Sequence, residues 1–391
     1  MKFFYLANIR MPTEKAHGLQ IMQNCEAFVQ AGADVTLMVA RRVNTTAMKQ
    51  VSDVYAYYGV APHFRIERVP CLDLMQIGTW FERIAFPIQS LTYVLVLALT
   101  LVFRRADVYY SRDLLTLLVL SLFKPRRQLV YEAHQLSASR IGVLLQSWCA
   151  RRVGLVVAVT GTLAEKMRQR GAKNAMVAHD GFRIERFADL PDRSAAREQL
   201  KIALDAFVIG YVGQLQTLAM SKGMDVLIDA IAALRDFPIS FCIVGGPPAT
   251  IEELRRYWEA KGLDPARFIP AGYVSPPQVP LHIRSFDVCA MTMTWSEFFA
   301  YYASPLKLFE YMAAGGAILS VNFPSVAEVV KDGESALLIP PHDPAALADA
   351  LRRLYTDPAL RERLGTEAHH IAQGYSWQAR ARTILTQIAA L

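Results

Sequence analysis

Strand-like apolar runs alternate with helical patterns along this chain, break off near Pro191-Asp192-Arg193, and then resume. Before the break the pattern predicts strands at Lys2–Ala7, Asp34–Ala40, Asp107–Tyr110, Gln128–Glu132, Leu155–Val159 and Ala175–Ala178. Helices are expected between them, at Gly18–Ala31, Leu114–Leu122, Arg140–Arg152 and Leu163–Arg170. After the break, strands are expected at Phe207–Val212, Ile239–Val244, Arg267–Ile269, Val288–Met291, Ala317–Ser320 and Ala336–Leu338. Helical patterns lie near 223–235, 250–261, 279–285, 305–314, 325–331 and 344–354, and a last amphipathic helix runs from Ser376 to Ala390. Strands that alternate with helices form right-handed crossovers and a parallel sheet covered on both faces. Two such series imply two doubly wound α/β domains, and 391 residues exceed one usual core. Open α/β sheets bind ligands at the carboxyl ends of their strands, so the cleft between the two domains is the expected site.

Charge divides unevenly between the halves. Residues 1–193 hold 25 Lys and Arg against 15 Asp and Glu, a balance of +10, whereas the remainder holds 17 against 20, or −3. A basic first half suits an anionic partner such as a phospholipid surface or a phosphorylated substrate. No basic run with interleaved aromatics marks a nucleic-acid strip, so nucleic acid is not expected as a partner. The five cysteines are dispersed without a C-x-x-C, which fits a reduced cytoplasmic chain without structural zinc. MKFFYLANIR has too short an apolar run for a signal peptide and reads as a first strand. The uncharged stretch Ile84–Phe103 is long enough to cross a bilayer. It contains Pro87, Gln89 and Ser90, and a span would separate strands that belong to one sheet. A buried or membrane-surface helix is the better expectation.

Two segments of the second half suit an anion. In GYVGQLQTLAMSKGMDVLIDA a strand runs into Gly213, and Lys222 precedes a helix that starts near Gly223. Close backbone approach, a helix dipole and a point charge together bind phosphate. The stretch matches neither the Walker pattern nor G-x-G-x-x-G, and taken alone such a lysine more often only faces solvent. In SPLKLFEYMAAGGAILS, Ser304 is placed to cap, Pro305 to open the first turn and Gly315-Gly316 to stop the helix. Ser304 and Leu306 offer amides at that helix start. Lys307 and Glu310 form either a surface pair or part of a site, and a carboxylate at 310 can accept both hydrogen bonds of a ribose diol. Together, the segments suit a nucleoside diphosphate.

In the first half, Glu132 and His134 follow a strand in LVYEAHQLSAS. His134 is placed to bond a sugar hydroxyl or move a proton, or else is a structural histidine. Gly18 at a helix start is either a second phosphate clamp or a turn glycine. Asp113 and Glu297 stand as unpaired acids. Asp-x-Asp, G-x-S-x-G and H-E-x-x-H are absent, and no metal is expected.

The chain resembles GT-B retaining glycosyltransferases of glycosyltransferase family 4 over nearly its whole length. The resemblance rests on MPTEKAHGLQIMQNCEAF, ADVYYSRDLLT, VYEAH, VAVTGTLAEKM, DGFRIERF, YVGQL with KGMDVLIDA, GYVSPPQVPLHIRSFDVCAM, SPLKLFEYMAAG, EVVKDGESALLIPPHDPAALADAL and YSWQARA. It implies two facing Rossmann-like domains: an acceptor domain over 1–190, a nucleotide-sugar domain over 195–373, and a C-terminal helix over 374–391 packing back on the first. It also implies that Lys222 neutralises a donor diphosphate without metal, that Glu310 holds the ribose, and that Ser304, Leu306 and Gly18 give amides to phosphate. His134 would sit near the transferred sugar, and Tyr273-Val274 would border the base. Three positions depart from the family pattern. Tyr302 replaces the first glutamate of E-x7-E, so a sugar contact is lost or supplied by Glu297. Gln214 stands where a phosphate-binding arginine is common, and Pro305 where many members have an N–H; Lys307 is the residue expected to compensate. The implied activity is metal-independent transfer of a sugar from a UDP- or GDP-sugar to a sugar, glycan or lipid-linked acceptor. Polysaccharide biosynthesis at the inner face of the plasma membrane, with peripheral contact to anionic lipid, fits that reading. A non-catalytic nucleotide-sugar binder and a sugar-nucleotide epimerase on the same fold are the alternatives.

Overall fold

The computed structural model describes residues 1–74, 82–217 and 220–391, and the chain divides into two compact units. The first comprises Met1–His179 and Trp377–Leu391, the second Asp180–Ser376. Residues 180–190, expected in the first domain, belong to the second. Phe182 and Phe187 are buried in its core, and the Phe182 N–H donates to the Tyr375 carbonyl.

In the first unit, β1 (Lys2–Ala7), α1 (Ala16–Gln30) and β2 (Asp34–Ala40) are followed by short α2 (Thr46–Lys49) and α3 (Val54–Tyr58). Then come β3 (Arg65–Val69), α4 (Glu82–Phe103), β4 (Val108–Ser111), α5 (Leu114–Leu120), β5 (Leu129–Ala133), α6 (Arg140–Arg152), β6 (Leu155–Ala158), α7 (Gly161–Gln169) and β7 (Ala175–Val177). The strands form one parallel sheet in the order β3-β2-β1-β4-β5-β6-β7. β3 and the two short helices went unread in the sequence, because RIERV carries too much charge for a strand signal. Packed rings of Phe3, Tyr5, Phe28 and Tyr110 fill one face of this sheet. Helix α4 lies on the sheet: the Tyr93 hydroxyl donates to the Met38 carbonyl (3.2 Å) and Gln89 Nε2 to Asn8 Oδ1 (2.8 Å). By length and hydropathy alone it also suffices to cross a membrane.

The second unit contains α8 (Arg193–Leu200), β8 (Phe207–Gln214), the small hairpin β9 (Gln216–Thr217) and β10 (Met220–Ser221), α9 (Met224–Ala232), β11 (Ile239–Gly246), α10 (Pro248–Ala260), β12 (Phe268–Gly272), α11 (Val279–Ser285) and β13 (Val288–Met291). It closes with α12 (Leu306–Ala313), β14 (Ala317–Val321), α13 (Pro324–Ala327), β15 (Leu337–Ile339), α14 (Pro344–Thr356) and α15 (Pro358–Ala372). Its parallel sheet runs β12-β11-β8-β13-β14-β15, a doubly wound order with β8 inside. Residues 218–219 of the loop singled out in the sequence lie outside the described residues. Asp343 and Asp357 cap α14 and α15, each followed by proline in the first turn.

The last helix, α16 (Trp377–Ala389), belongs to the first unit and packs beside α1. Trp377 is buried there, with its indole N–H donating to Gln23 Oε1 (2.7 Å).

Candidate functional site

Strand β8 ends at Gly213-Gln214, and the loop beyond it returns to Lys222 just before α9. Lys222 is only 7% exposed, and its amine sits 3.8 Å from the centre of the Phe299 ring. Burial alone pulls its pKa down to about 8. Gly223 follows in the left-handed region, at φ +73°, where it caps α9. A Cβ there would lie 1.8 Å from the Thr292 carbonyl oxygen. Gly223→Ala is therefore expected to cost about 3 kcal/mol, from backbone strain and a clash with main chain that cannot move aside. A thermal unfolding scan checks this; an unchanged Tm would mean that the turn is not the constraint.

Helix α12 supplies the next groups. Its cap differs from the sequence expectation. Pro305 is the N-cap, and the Ser304 hydroxyl accepts from the Asp180 N–H (2.8 Å) rather than from the helix. The other end agrees with expectation: Gly315 takes φ +66°, and the N–H groups of Gly315 and Gly316 donate to the carbonyls of Met312 and Tyr311. In the first turn, Lys307 points inward. Its Nζ is enclosed without a hydrogen-bond partner and lies 3.6 Å from the centre of the Tyr211 ring. Burial, then repulsion from Lys222, push its pKa well below the usual lysine range. Gly213, at φ +121°, leaves room for it, since a Cβ at 213 would be 3.3 Å from Nζ.

Glu310 lies on the same helix, with Arg186 and Lys307 as its charged neighbours. Burial raises its pKa, and those two cations oppose the rise. Among the described residues no carboxylate comes within ion-pair distance of Lys222 or Lys307, so the surface-pair reading of Lys307 and Glu310 does not hold. Gln214 Nε2 donates to the Tyr273 hydroxyl (3.3 Å), which brings the expected base-side residue to the end of β8; Val274 packs against the core. Glu297 is not unpaired: it accepts from the Tyr302 hydroxyl (2.8 Å).

The first unit has a different charged centre at the end of β5. Glu132, fully buried, accepts from Arg112 (3.1 Å), Arg380 (2.9 Å) and Tyr5 (3.2 Å). His134 Nε2 lies 2.9 Å from the same carboxylate. The two guanidinium groups and His134 overcome the burial of Glu132 and hold its pKa well below the usual carboxylate range. Asp113 is likewise not unpaired; it caps α5, accepting from the Thr116 N–H. Gly18 sits in this unit, at the start of α1. A Cβ there would be 2.5 Å from Thr13 and 2.6 Å from the Tyr58 hydroxyl, so packing already demands a glycine.

The structure thus joins Lys222, Lys307, Glu310, Gln214 and Tyr273 in the second unit and places His134 and Gly18 in the first. Sequence reasoning gave no role to Arg186 beside Glu310, to Tyr211 and Phe299 around the lysines, or to Arg112 and Arg380 on Glu132. The DGFRIERF segment carried Arg186, but nothing local shows that it faces Glu310.

The fold is that of GT-B glycosyltransferases. Sucrose-phosphate synthase from Thermosynechococcus elongatus superposes with a TM-score of 0.76, covering 100% of this chain and 99% of its own, at 18% identity. Anabaena Alr3699/HepE in complex with UDP superposes with a TM-score of 0.75 over the whole of both chains, at 21% identity. Residues 206–357 match the family model described as Glycosyl transferases group 1. A D-inositol 3-phosphate glycosyltransferase from Streptomyces bingchenggensis is 32% identical over 230 residues, 56% of this chain and 48% of the relative. The chain spans about half the length of the curated relatives it matches.

Proposed function

We propose that this protein is a retaining glycosyltransferase that moves a sugar from a UDP- or GDP-sugar to an acceptor hydroxyl, with protein cations rather than a divalent ion neutralising the diphosphate. The observation that carries this reading is the pair of enclosed lysines, Lys222 and Lys307, one at the loop after β8 and one in the first turn of α12, with no carboxylate paired to either among the described residues. Two amines so placed repel each other until an anion arrives, and the α12 N-terminus adds its dipole. The Glu310 carboxylate, which accepts no hydrogen bond among the described residues, suits the ribose diol. Gln214 and Tyr273 border the base.

In the reaction, the bond from the anomeric carbon to the diphosphate oxygen breaks, and the electron pair leaves with the diphosphate. The acceptor oxygen bonds to the anomeric carbon on the same face, and its proton passes to a phosphate oxygen of the leaving group. Lys222 and Lys307 stabilise the charge that builds on the diphosphate. His134, held by Glu132, is offered as a partner for a sugar hydroxyl. The acceptor is a sugar or sugar phosphate, free or lipid-linked.

The test is release of UDP or GDP from nucleotide sugars with and without candidate acceptors, after thermal shift has selected the base. Acceptor-dependent release with retained anomeric configuration supports the proposal. Inverted product, or binding without turnover across acceptor classes, overturns it.

Binding should also be linked to pH. Free Lys222 has a pKa of about 8, free Lys307 lies well below the lysine range, and a bound diphosphate raises both. A raised pKa in the bound state means that its contribution is fully present below the free value and is lost as pH climbs through the bound value. UDP should thus bind with net proton uptake near pH 8, onto Lys222 and, in the same direction, Lys307, and more weakly as pH climbs from about 8 through the bound values. Calorimetry in buffers of different ionisation enthalpy measures the uptake. A binding enthalpy independent of buffer would exclude it.

A further inference from the structure

Among the described residues, thirteen of the 23 large apolar side chains that face solvent lie between Ile84 and Trp148, against four in the whole second unit. They are ordered. On α4 the exposed positions include Ile84, Leu91, Leu95, Leu99 (66% exposed) and Val102, which recur on one face, while Ala85, Gln89, Tyr93, Leu97 and Leu101 are buried on the other. An amphipathic surface helix would put polar residues on that outer face. Helix α6 goes further. Ile141 (72% exposed), Leu144, Leu145 and Trp148 face outward at spacings of three, four and seven, whereas polar Gln146 is buried and bonds Tyr131 and the Gln135 carbonyl. Helices α4, α5 and α6 pack side by side, and Leu122 and Phe123 at the end of α5 join the same set.

Around these side chains cations predominate. Arg105 follows α4, Arg127 follows α5, Arg140 begins α6, and Arg151 and Arg152 end it, all exposed. The acids between 84 and 152 are Asp107, which accepts from the Lys2 N–H, Asp113, which caps α5, and Glu132, buried under its arginines. Arg152 lies over the Trp148 ring, as an aromatic and a cation do at a lipid headgroup layer.

We infer that the α4–α5–α6 face is the docking surface for an anionic phospholipid bilayer. The apolar stripes enter the boundary between headgroups and acyl chains, and the arginine rim engages lipid phosphates. A second copy of the chain fits this face poorly, because an isologous contact would set two predominantly cationic rims together. The inference goes beyond the transferase reading and stands whether or not that reading holds.

The experiment is co-sedimentation of the full chain, without sugar nucleotide, with vesicles of phosphatidylcholine alone or mixed with phosphatidylglycerol. Expected is binding to the anionic vesicles with a blue shift in tryptophan emission, weakened several-fold at ~0.5 M salt. Leu95→Glu with Leu99→Glu should weaken binding ~10-fold or more at unchanged Tm, and Arg151→Gln with Arg152→Gln should abolish the preference for anionic lipid. A chain that stays in the supernatant with both vesicle types overturns the inference. So does a wild-type dimer that the leucine variants make monomeric without affecting lipid binding.

Discussion

Lys222→Ala is expected to lower kcat by about 10²-fold or more while leaving the fold intact. The size follows from where the amine sits. Its charge is held in a nearly dry position, over the Phe299 ring and beside Lys307, where the proposed transfer would build charge on the departing diphosphate. An interaction made mainly in the transition state shows in kcat as well as in KM. Stability should not fall with activity, because among the described residues no carboxylate is left unpaired and a costly desolvated amine is removed. Lys307, relieved of its neighbour, should regain protons, so the proton uptake on UDP binding should shrink in the variant. Steady-state kinetics beside a thermal scan separate these effects. A variant that loses activity only by unfolding would refute the electrostatic role.

Glu132→Gln should do the reverse and damage stability first. Glu132 is the shared carboxylate of Arg112 and Arg380, which come from the end of β4 and from α16. The amide keeps the shape but removes the charge that two buried or part-buried guanidinium groups require, and breaking such a centre costs about 3–5 kcal/mol. Arg380 also donates to Asn24 and to the His179 carbonyl, so the return of α16 to the first unit depends on that centre. The pH dependence has a definite sign. The folded pKa of Glu132 lies below its unfolded value, so its contribution is complete above about pH 4.3 and is lost as pH falls toward the folded value. Wild type should lose stability steeply in acid, and the variant should lack that part of the slope. Chemical denaturation at several pH values measures it. Identical slopes in the two proteins would place the acid sensitivity elsewhere.

Much of this was legible in sequence. The alternation of β-branched runs and helices identified both sheets, because central parallel strands are apolar throughout and contrast with the mixed polar and apolar helices that connect them. SPLKLFEYMAAG disclosed α12, since its proline start and Gly-Gly stop are local features, and it put Lys307 and Glu310 on one helix. What the lysine faces was not local: Tyr211 and Gly213 lie on β8, almost a hundred residues earlier. The same holds for Arg380 and Glu132, which are 248 positions apart. Ser304 looked like a cap, but its hydroxyl accepts instead from the Asp180 N–H at the very start of the second unit. Asp113 and Glu297 looked unpaired because their partners, Thr116 and Tyr302, carry no charge to betray them. β3 was hidden by its charged residues, as an edge strand's sequence often is.

The most direct measurement is calorimetric binding of UDP and of uridine to wild type and to Lys222→Ala, with a chelator present throughout. The expected result is tight UDP binding by wild type in chelator and an approximately 10²-fold loss in the variant, with uridine binding equally weakly to both. Equal UDP affinity in the two proteins, or wild-type binding that disappears with chelator, would contradict a diphosphate held by the protein's own cations.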